Sequence, residues 1–376
     1  MCMKWITTII SLALAAAIPL AHAGDSKKSD ASDVLFRDPV IRTLRLDIPP
    51  AGLAALKLGN RDYVRATLSE GSLVLQNVGV RLKGHSTFQP VDKKPAFAIK
   101  VNDVVSGQEY HGLSKLMLNN SVQDASYLRE VLAAQLFREA GIPTARATHV
   151  RVQCNGRDLG LYVLTEGMNK NFLKREFGGA GGSLYEGETK DIDARLDQES
   201  GDDTTQKDLQ ALAAAARAPA AERMQKLRAL LDMDEFTSFV AMEMLTASID
   251  GYTFTKNNYR VYHEPKTDRL AFLPHGLDAT FGSAGFEPAQ DSLLVKALWE
   301  LPEFQKQYRA RLGELAAKVW QVPVLTNRVS TLAAKLVAAA PNRAAAQQIE
   351  EEARKLRFQI VQQERLVAAE LKRGRK

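Results

Sequence analysis

The change of pattern near Glu166 most constrains what this chain can fold into. From Ile41 onward, short runs such as TLRLDI, DYVRATL and NVGVRLKG alternate apolar and polar side chains between Gly and Asn turns. This alternation is typical of strands with one buried face. After Glu166, helical spacing and loops dominate. We therefore expect an α+β fold with a β-rich part at residues 36–166 and a mainly helical part at residues 167–376.

Four helices are expected in the second part. Lys170–Phe177 predicts a short helix, and an Ala-rich helix from Asp208 is interrupted near Pro219. Asp234 is expected to cap the helix that leads to Ser248. The last helix has apolar residues at helical spacing: Ile349, Ala353, Leu356, Ile360, Val367 and Leu371.

One helix interrupts the β-rich part. The segment Asp124–Ala140 has leucines at four-residue spacing, a capping residue at its start and Gly141 just after its end, all of which favour a helix. Two strand-like runs follow, THVRVQC and LGLYVLTE, and Asn155-Gly156 between them is typical of a two-residue hairpin turn. The order predicted is a five-stranded sheet with a helix after its third strand, then a short connector and helices.

The N-terminus has the features of an export signal. Lys4 precedes an apolar run from Ile6 to Leu20, and Ala21-His22-Ala23 resembles a cleavage site. We expect residues 1–23 to be removed, residues 24–35 to form a disordered polar lead-in, and the mature protein to be periplasmic or secreted. No later stretch is long and apolar enough to predict a membrane span.

Charge and cysteine content exclude several classes of protein. The formal net charge is only +6, and it is concentrated in the final Lys372, Arg373, Arg375 and Lys376 without interleaved aromatic residues, so nucleic-acid binding is not expected. Removal of the signal leaves Cys154 as a lone cysteine, which excludes an intramolecular disulfide and favours a small buried residue over a nucleophile.

The candidate polar chemistry is concentrated in Ser248–Gly282. This stretch contains one carboxylate at the end of a helix, two amides at the start of a strand and another carboxylate before a turn: Asp250, Asn257, Asn258 and Asp278. Oxygen ligands of this kind suit a hard cation held against phosphate. The alternative is that Asp and Asn beside Gly are ordinary turn residues.

A second candidate is the loop after the strand that ends at Lys83. It reads Gly84-His85-Ser86-Thr87 and is flanked by Arg81 and Lys83, so it offers hydroxyls and cations to a phosphate, although a plain hairpin would look the same. The acidic segment 186–203 lacks the spacing of a calcium loop and predicts a solvated loop. His275 and Asp278 alone are too few ligands for zinc.

Together, several motifs resemble the CotH kinase family, atypical secreted kinases first associated with bacterial spore coats. These motifs are NVGVRLKGHSTF, KKPAFAIKV, LMLNNSVQDASYLREVLAAQLFREAG, VQCNGRDLGLYVLTEGMNKNFL, SLYEGE, IDGYTFTKNNYRVY and FLPHGLDATFG, in collinear order over Val78–Gly282. The resemblance implies a protein-kinase-like two-lobed fold, with one bracing helix in the N-lobe. It also implies ATP with Mg²⁺ or Mn²⁺ as cofactors and a protein substrate with Ser or Thr acceptors.

The resemblance also implies roles for individual residues. On the nucleotide side, Lys100 in FAIK would contact the phosphates, and Glu130 would pair with Lys100. A phosphate-facing loop would include Arg81, Lys83 and Ser86. Glu166 would lie where adenine docks. On the metal side, Asp250 would be the catalytic-loop carboxylate, Asn258 or Asn257 the metal-binding amide, and Asp278 the metal-binding acid.

The sequence departs from the family pattern at Gly276. Many members have two acids, Asp-x-Asp, before the aromatic-Gly turn, whereas here Gly276 precedes Leu277-Asp278. An exported protein also meets little ATP. The alternative is therefore a catalytically inactive kinase-like binding module at the cell envelope or surface. A hydrolase built on Asp250 and Asp278 is less favoured, because no nucleophile motif such as Gly-x-Ser-x-Gly is present.

Overall fold

The computed structural model describes residues 30–37 and 40–373. The expected signal peptide, residues 24–29 of the expected lead-in and the last three residues of the basic tail lie outside the described residues. Within the described ranges, no helix combines the length and the apolar composition that crossing a membrane requires.

The first half forms a closed barrel of seven strands, not the five-stranded sheet expected from the sequence. The strands are β1 (Arg42–Asp47), β2 (Val64–Glu70), β3 (Leu73–Lys83), β4 (Ala96–Lys100), β5 (Lys115–Asn119), β6 (Ala147–Cys154) and β7 (Arg157–Glu166), in the order β1-β2-β3-β4-β5-β7-β6. The barrel closes because β1 pairs in parallel with β6. Asn155-Gly156 joins β6 to β7 as predicted, and Cys154 is a buried free thiol.

The register of β3, β4 and β5 places a row of polar side chains on the outer face of the barrel. Lys83 pairs with Ala96, Arg81 with Ala98, and Lys100 with both Gly79 and Lys115. Partners across a ladder point to the same side of the sheet, while their sequence neighbours point to the other side. The intervening residues are buried in the barrel core: Val80, Leu82, Phe97, Ile99, Leu116 and Leu118.

The bracing helix, α3 (Arg129–Glu139), shares its core with the helical half rather than with the barrel. Leu132, Leu136 and Phe137 belong to the same apolar cluster as the later helices. The helix begins five residues later than the sequence suggested. Asp124 still caps it, because its Oδ2 accepts a hydrogen bond from the backbone N–H of Arg129 at 2.9 Å.

The second half contains a four-stranded sheet among its helices. The strands are β8 (Leu184–Gly187), β9 (Asp197–Ser200), β10 (Tyr259–Glu264) and β11 (Arg269–Pro274), in the order β11-β10-β8-β9. The helices outside this sheet are α4 (Lys170–Phe177), α5 (Lys207–Ala216), α6 (Ala220–Leu230), α7 (Met233–Leu245), α8 (Tyr252–Thr255), α9 (Leu293–Trp299), α10 (Pro302–Lys318), α11 (Val322–Ala338) and α12 (Arg343–Arg373).

Three expectations are corrected in detail. Residues 30–35 are ordered: a short helix, α1 (Asp33–Arg37), begins there, and Leu35 is buried against the barrel because it belongs to its core. The acidic segment 186–203 is not only a solvated loop, since it contains β9. Asp232, not Asp234, caps α7, because its carboxylate accepts the N–H groups of two first-turn residues. The remaining helix, α2 (Pro50–Lys57), lies between β1 and β2.

Candidate functional site

Asp250 and the two amides that were singled out in the sequence form one hydrogen-bonded cluster. The side-chain N–H of Asn258 donates to Asp250 Oδ2 at 2.8 Å, and that of Asn257 donates to Asp250 Oδ1 at 3.2 Å. Both amides reach back from the start of β10 to the loop that follows α7. The cluster therefore presents a carboxylate held in a fixed position, with amide oxygens beside it.

Glu243, a buried acid on α7, holds the loop that carries Asp250. Its Oε1 accepts the backbone N–H of Tyr252 at 2.9 Å, and its Oε2 accepts that of Thr253 at 2.8 Å. A Cβ on Gly251 would lie within 2.1 Å of Glu243 Oε1, so the loop can approach only with glycine there. The sequence reading missed this residue. Its signal was a single acid inside an otherwise apolar helical run, FVAMEML.

Gly276 allows Asn258 to take its position. Gly276 has φ +56°, and a Cβ added there would lie 2.8 Å from both Cγ and Oδ1 of Asn258. The Asn258 amide also donates to the carbonyl oxygen of Gly276 at 3.2 Å. The space beside this backbone therefore holds an amide, and any side chain at 276 would have to displace it.

Asp278 lies in the turn after β11, near Lys83 from the barrel and Glu130 from α3. Asn119, at the end of β5, connects the last two: its Nδ2 donates to Glu130 Oε2 at 2.5 Å, and its Oδ1 accepts a hydrogen bond from Lys83 Nζ. The lysine is thus held to the bracing helix through an amide. Asn119 was not singled out from the sequence, where its signal was a polar residue ending an apolar strand, LMLNN.

The ionisable groups of this cluster perturb each other. Burial, then the negative charge of Asp278, raises the pKa of Glu130 to about 7, while the positive charge of Lys83 opposes that rise. Burial also raises the pKa of Asp278, and the carboxylates of Asp124 and Asp250 raise it further. Burial lowers the pKa of Lys83, although Glu130 and Asp278 favour its charged form. Such mutual perturbation in a cleft is typical of functional sites.

Hydrogen bonds of Arg129 connect the turn that carries Asp278 to α3 and α12. Arg129 of α3 donates through NH1 to the backbone carbonyl of Thr280 and through NH2 to Gln359 Oε1 of α12 at 3.1 Å. Helix α3 therefore carries Glu130 itself and also holds the turn of Asp278 through the adjacent Arg129.

Lys100 lies on β4, apart from the cluster of Glu130 and Asp278. It pairs with Gly79, four residues before Lys83 on β3, which corresponds to a separation of roughly 13 Å along the strand. Its Nζ lies 4.3 Å from the ring centroid of Tyr63, and Arg81 lies over the same ring at 5.2 Å. The lysine that the structure brings to Glu130 and Asp278 is Lys83.

Ser86 is exposed on the loop after β3. That loop is held from outside by Arg61, which donates to the carbonyl of Gly84 at 2.8 Å and lies over the Phe88 ring. The positive φ of Gly84, +99°, allows the chain to leave β3 immediately after Lys83.

The carboxylate of Glu166 is engaged by two arginines. It accepts hydrogen bonds from the backbone N–H and guanidinium of Arg146 and, at 2.6 Å to each oxygen, from the guanidinium of Arg175. Arg146 also contacts Asp33 at 2.8 Å and Asp30 at 3.1 Å. The side chain of Glu166 therefore joins the end of β7 to the N-terminal segment, and the residue also lines a small pocket together with Glu130 and Gly276.

The oxygen donors fit a hard cation only when a ligand adds more of them. Within residues 30–37 and 40–373, no three His, Cys, Asp or Glu side chains gather closely enough to hold a metal ion. His275 contacts Glu186 at 3.5 Å, and burial, with the charges of Arg260 and Lys83, lowers its pKa well below the usual range. Asp250, Asp278 and the Asn258 oxygen match the one or two carboxylates that Mg²⁺ takes beside phosphates.

Comparisons with known proteins agree with this arrangement of motifs. Residues 80–359 match the family model described as CotH kinase protein. The inner spore coat protein H of Bacillus subtilis is 21% identical over 248 residues, which cover 59% of this chain and 68% of that protein. Invasin CotH7 of Rhizopus delemar is 27% identical over 192 residues, covering 47% of this chain and 32% of the invasin.

Among solved structures, the Helicobacter pylori proinflammatory kinase CtkA matches with a TM-score of 0.34 and 8% identity, over 87% of this chain and 96% of that one. The family match rests on sequence and covers well over half of the 376 residues. This chain belongs to the CotH kinase family.

Proposed function

We propose that this protein is an exported kinase that transfers the γ-phosphate of ATP to Ser or Thr side chains of proteins, with Mg²⁺ or Mn²⁺. The observation that carries the proposal is that Asn119 hydrogen-bonds both Lys83 and Glu130, while the charge of Asp278 acts on both of them. A half-buried cation beside two carboxylates, one from a bracing helix and one from a turn, suits the positioning and charge neutralisation on which phosphoryl transfer depends.

ATP would supply the transferable phosphoryl group, and the divalent ion would neutralise charge on its phosphates. Lys83, from the barrel, would neutralise phosphate charge, while Asp278 and the Asn258 oxygen would hold the ion from the helical half. Asp278 is partly buried near Asp250 and Asp124, and these charges raise its pKa. A bound cation would relieve that repulsion, which supports a metal at this carboxylate.

Asp250 would orient the acceptor hydroxyl. Both of its oxygens accept hydrogen bonds from side-chain amides, so its position is fixed before a substrate arrives. Catalysis of phosphoryl transfer consists mainly of such positioning and charge neutralisation. Glu243 would act as a positioning residue, because it holds the backbone that follows Asp250.

Export and a protein substrate are supported by indirect observations. The N-terminal 23 residues have the pattern of a signal peptide. One relative is named a spore coat protein and another an invasin. We infer that this protein acts outside the cytoplasm, in the periplasm or at a surface.

The test is phosphate transfer from labelled ATP with Mg²⁺ or Mn²⁺, compared between the wild type and Asp278→Asn. The control is Asp268→Asn, because Asp268 is an exposed acid on the preceding hairpin that contacts His263. We expect labelling of the protein or an added substrate, lost only in Asp278→Asn. A thermal shift with ATP but no labelling would favour the inactive binding module. Absence of both labelling and a thermal shift with ATP would refute the proposed kinase activity.

A further inference from the structure

A cavity of about 510 Å³ lies away from the candidate site, between α1, the start of β1, α3, β6 and α11. Its apolar wall includes Phe36, Ile41, Val131 and Leu332. The volume is in the range of small-molecule sites, which are mostly apolar with a few polar groups. The cavity therefore has room for an organic ligand.

More cations than carboxylates line this cavity. The cations are Arg37, Arg138, Arg146 and Lys335, and the carboxylates are Asp33 and Glu139. Of the cations, Arg146 is also paired with Asp30 and Glu166, which lie outside the lining. His149 adds no charge at neutral pH, because burial lowers its pKa to about 4.

Both carboxylates are already engaged. Asp33 contacts Arg37 at 2.9 Å and Arg146 at 2.8 Å, and Glu139 contacts Arg328, outside the cavity lining, at 2.8 Å. Among residues 30–37 and 40–373, neither Arg138 nor Lys335 has a carboxylate within ion-pair distance, and only the more distant charges of Glu176 and Glu166 act on Arg138. These two side chains, one on α3 and one on α11, are the cations left for a ligand.

We propose that this cavity binds a small amphiphilic carboxylate, with its apolar body on the wall formed by Phe36, Val131 and Leu332 and its anionic head at Arg138 and Lys335. The two cations disfavour a positively charged amphiphile of the same shape, because its head would lie beside two side chains of like charge. The proposal is independent of phosphate transfer, since none of these residues belongs to the cluster around Asp278.

The test is calorimetric titration of the purified protein with laurate and with dodecylammonium, both below the concentration at which they form micelles. The two ligands share a tail and differ in the charge of the head. We expect saturable binding of laurate and much weaker binding of dodecylammonium. Arg138→Gln and Lys335→Gln should each weaken laurate binding by roughly two- to fivefold, as expected for partly exposed ion pairs.

Lys306→Gln is the matched control, because Lys306 is an exposed lysine on α10 outside the cavity. Equal binding of the two ligands, or equal effects of the three substitutions, would overturn the proposal. Photo-crosslinking of the unaltered protein with a diazirine-bearing fatty acid gives a second measurement that requires no variant. Label on peptides containing Val131 or Leu332 supports the site, and label elsewhere overturns it.

Discussion

The side-chain amide of Asn258 occupies the space that a Cβ atom on Gly276 would need. The distance from that Cβ position to Asn258 Cγ is 2.8 Å, and the backbone of Gly276 has φ +56°. The same amide donates to Asp250 at 2.8 Å. The glycine that departs from the family's Asp-x-Asp pattern is therefore part of the arrangement that holds Asn258 against Asp250.

We predict that Gly276→Asp lowers activity instead of adding a useful second acid. The new side chain would collide with Asn258, and positive φ costs a non-glycine residue about 1–2 kcal/mol. Thermal melting should show a loss of stability, and labelled-ATP assays should show lower transfer. Gly285→Asp is the control, because a Cβ at Gly285 meets nothing within 4 Å. Higher transfer in Gly276→Asp would contradict this account.

Lys83 and Lys100 provide a direct comparison of the two candidate lysines. Lys83→Met removes the cation near Glu130 and Asp278, and we expect a loss of at least about a hundredfold in transfer rate, as for loss of a key electrostatic group. Lys100→Met removes a cation that lies over Tyr63, and its effect should be much smaller. Initial rates on folded protein decide between them. A larger loss of transfer rate in Lys100→Met than in Lys83→Met would support the role that the family resemblance implies for Lys100.

Glu243 should make stability depend on pH. Burial raises its pKa from an ordinary value near 4.5 to about 7 in the folded protein. A folded-state pKa above the unfolded value means that the stability contributed by this group is present at low pH. It is lost as pH rises from about 4.5 through about 7.

The measurement is the free energy of unfolding across that pH range for the wild type and Glu243→Gln. The wild type should lose more stability than the variant as pH rises, because the glutamine does not titrate. The exposed Glu350→Gln should follow the wild type. Parallel curves for the wild type and Glu243→Gln would show that Glu243 does not titrate in this range.

Glu166 should matter for stability more than for nucleotide contact. Glu166→Ala leaves the guanidinium groups of Arg146 and Arg175 without their shared carboxylate, and breaking a buried ion pair typically costs about 3–5 kcal/mol. The melting temperature of Glu166→Ala should therefore be much lower than that of the wild type. Glu222→Ala, which breaks an exposed pair with Lys226, should leave melting unchanged. A stable Glu166→Ala protein with weakened ATP binding would instead support a docking role.

Sequence patterns predicted the local elements better than their assembly. The helix Lys170–Phe177 was predicted with its observed ends, and so was the break near Pro219 between α5 and α6. Buried positions Ile349, Ala353, Leu356, Ile360 and Val367 on α12 follow the predicted stripe. These features depend on neighbours within a few residues, which periodicity and turn chemistry report directly.

Contacts between distant segments could not be predicted from the sequence. Alternation shows that Lys83 and Lys100 each face away from the barrel core, but it does not show which one lies near α3, because register is set by pairing. Glu130, Asn119 and Asp278 come together only when the barrel, the helix and the turn pack. Similarly, nothing near Glu166 in the sequence indicates Arg146, which lies 20 positions away.

The parallel pairing of β1 with β6 also sets an order of events in folding. Arg45 and Gln153 contact each other across this pair although they are 108 positions apart in the chain. The edge of β1 that pairs with β6 therefore stays unpaired until more than a hundred further residues have been synthesised and β6 has formed. Contacts of such long range slow folding. Late closure therefore leaves the outer edge of β1 open during much of folding, and the barrel is complete only when β6 has docked against it.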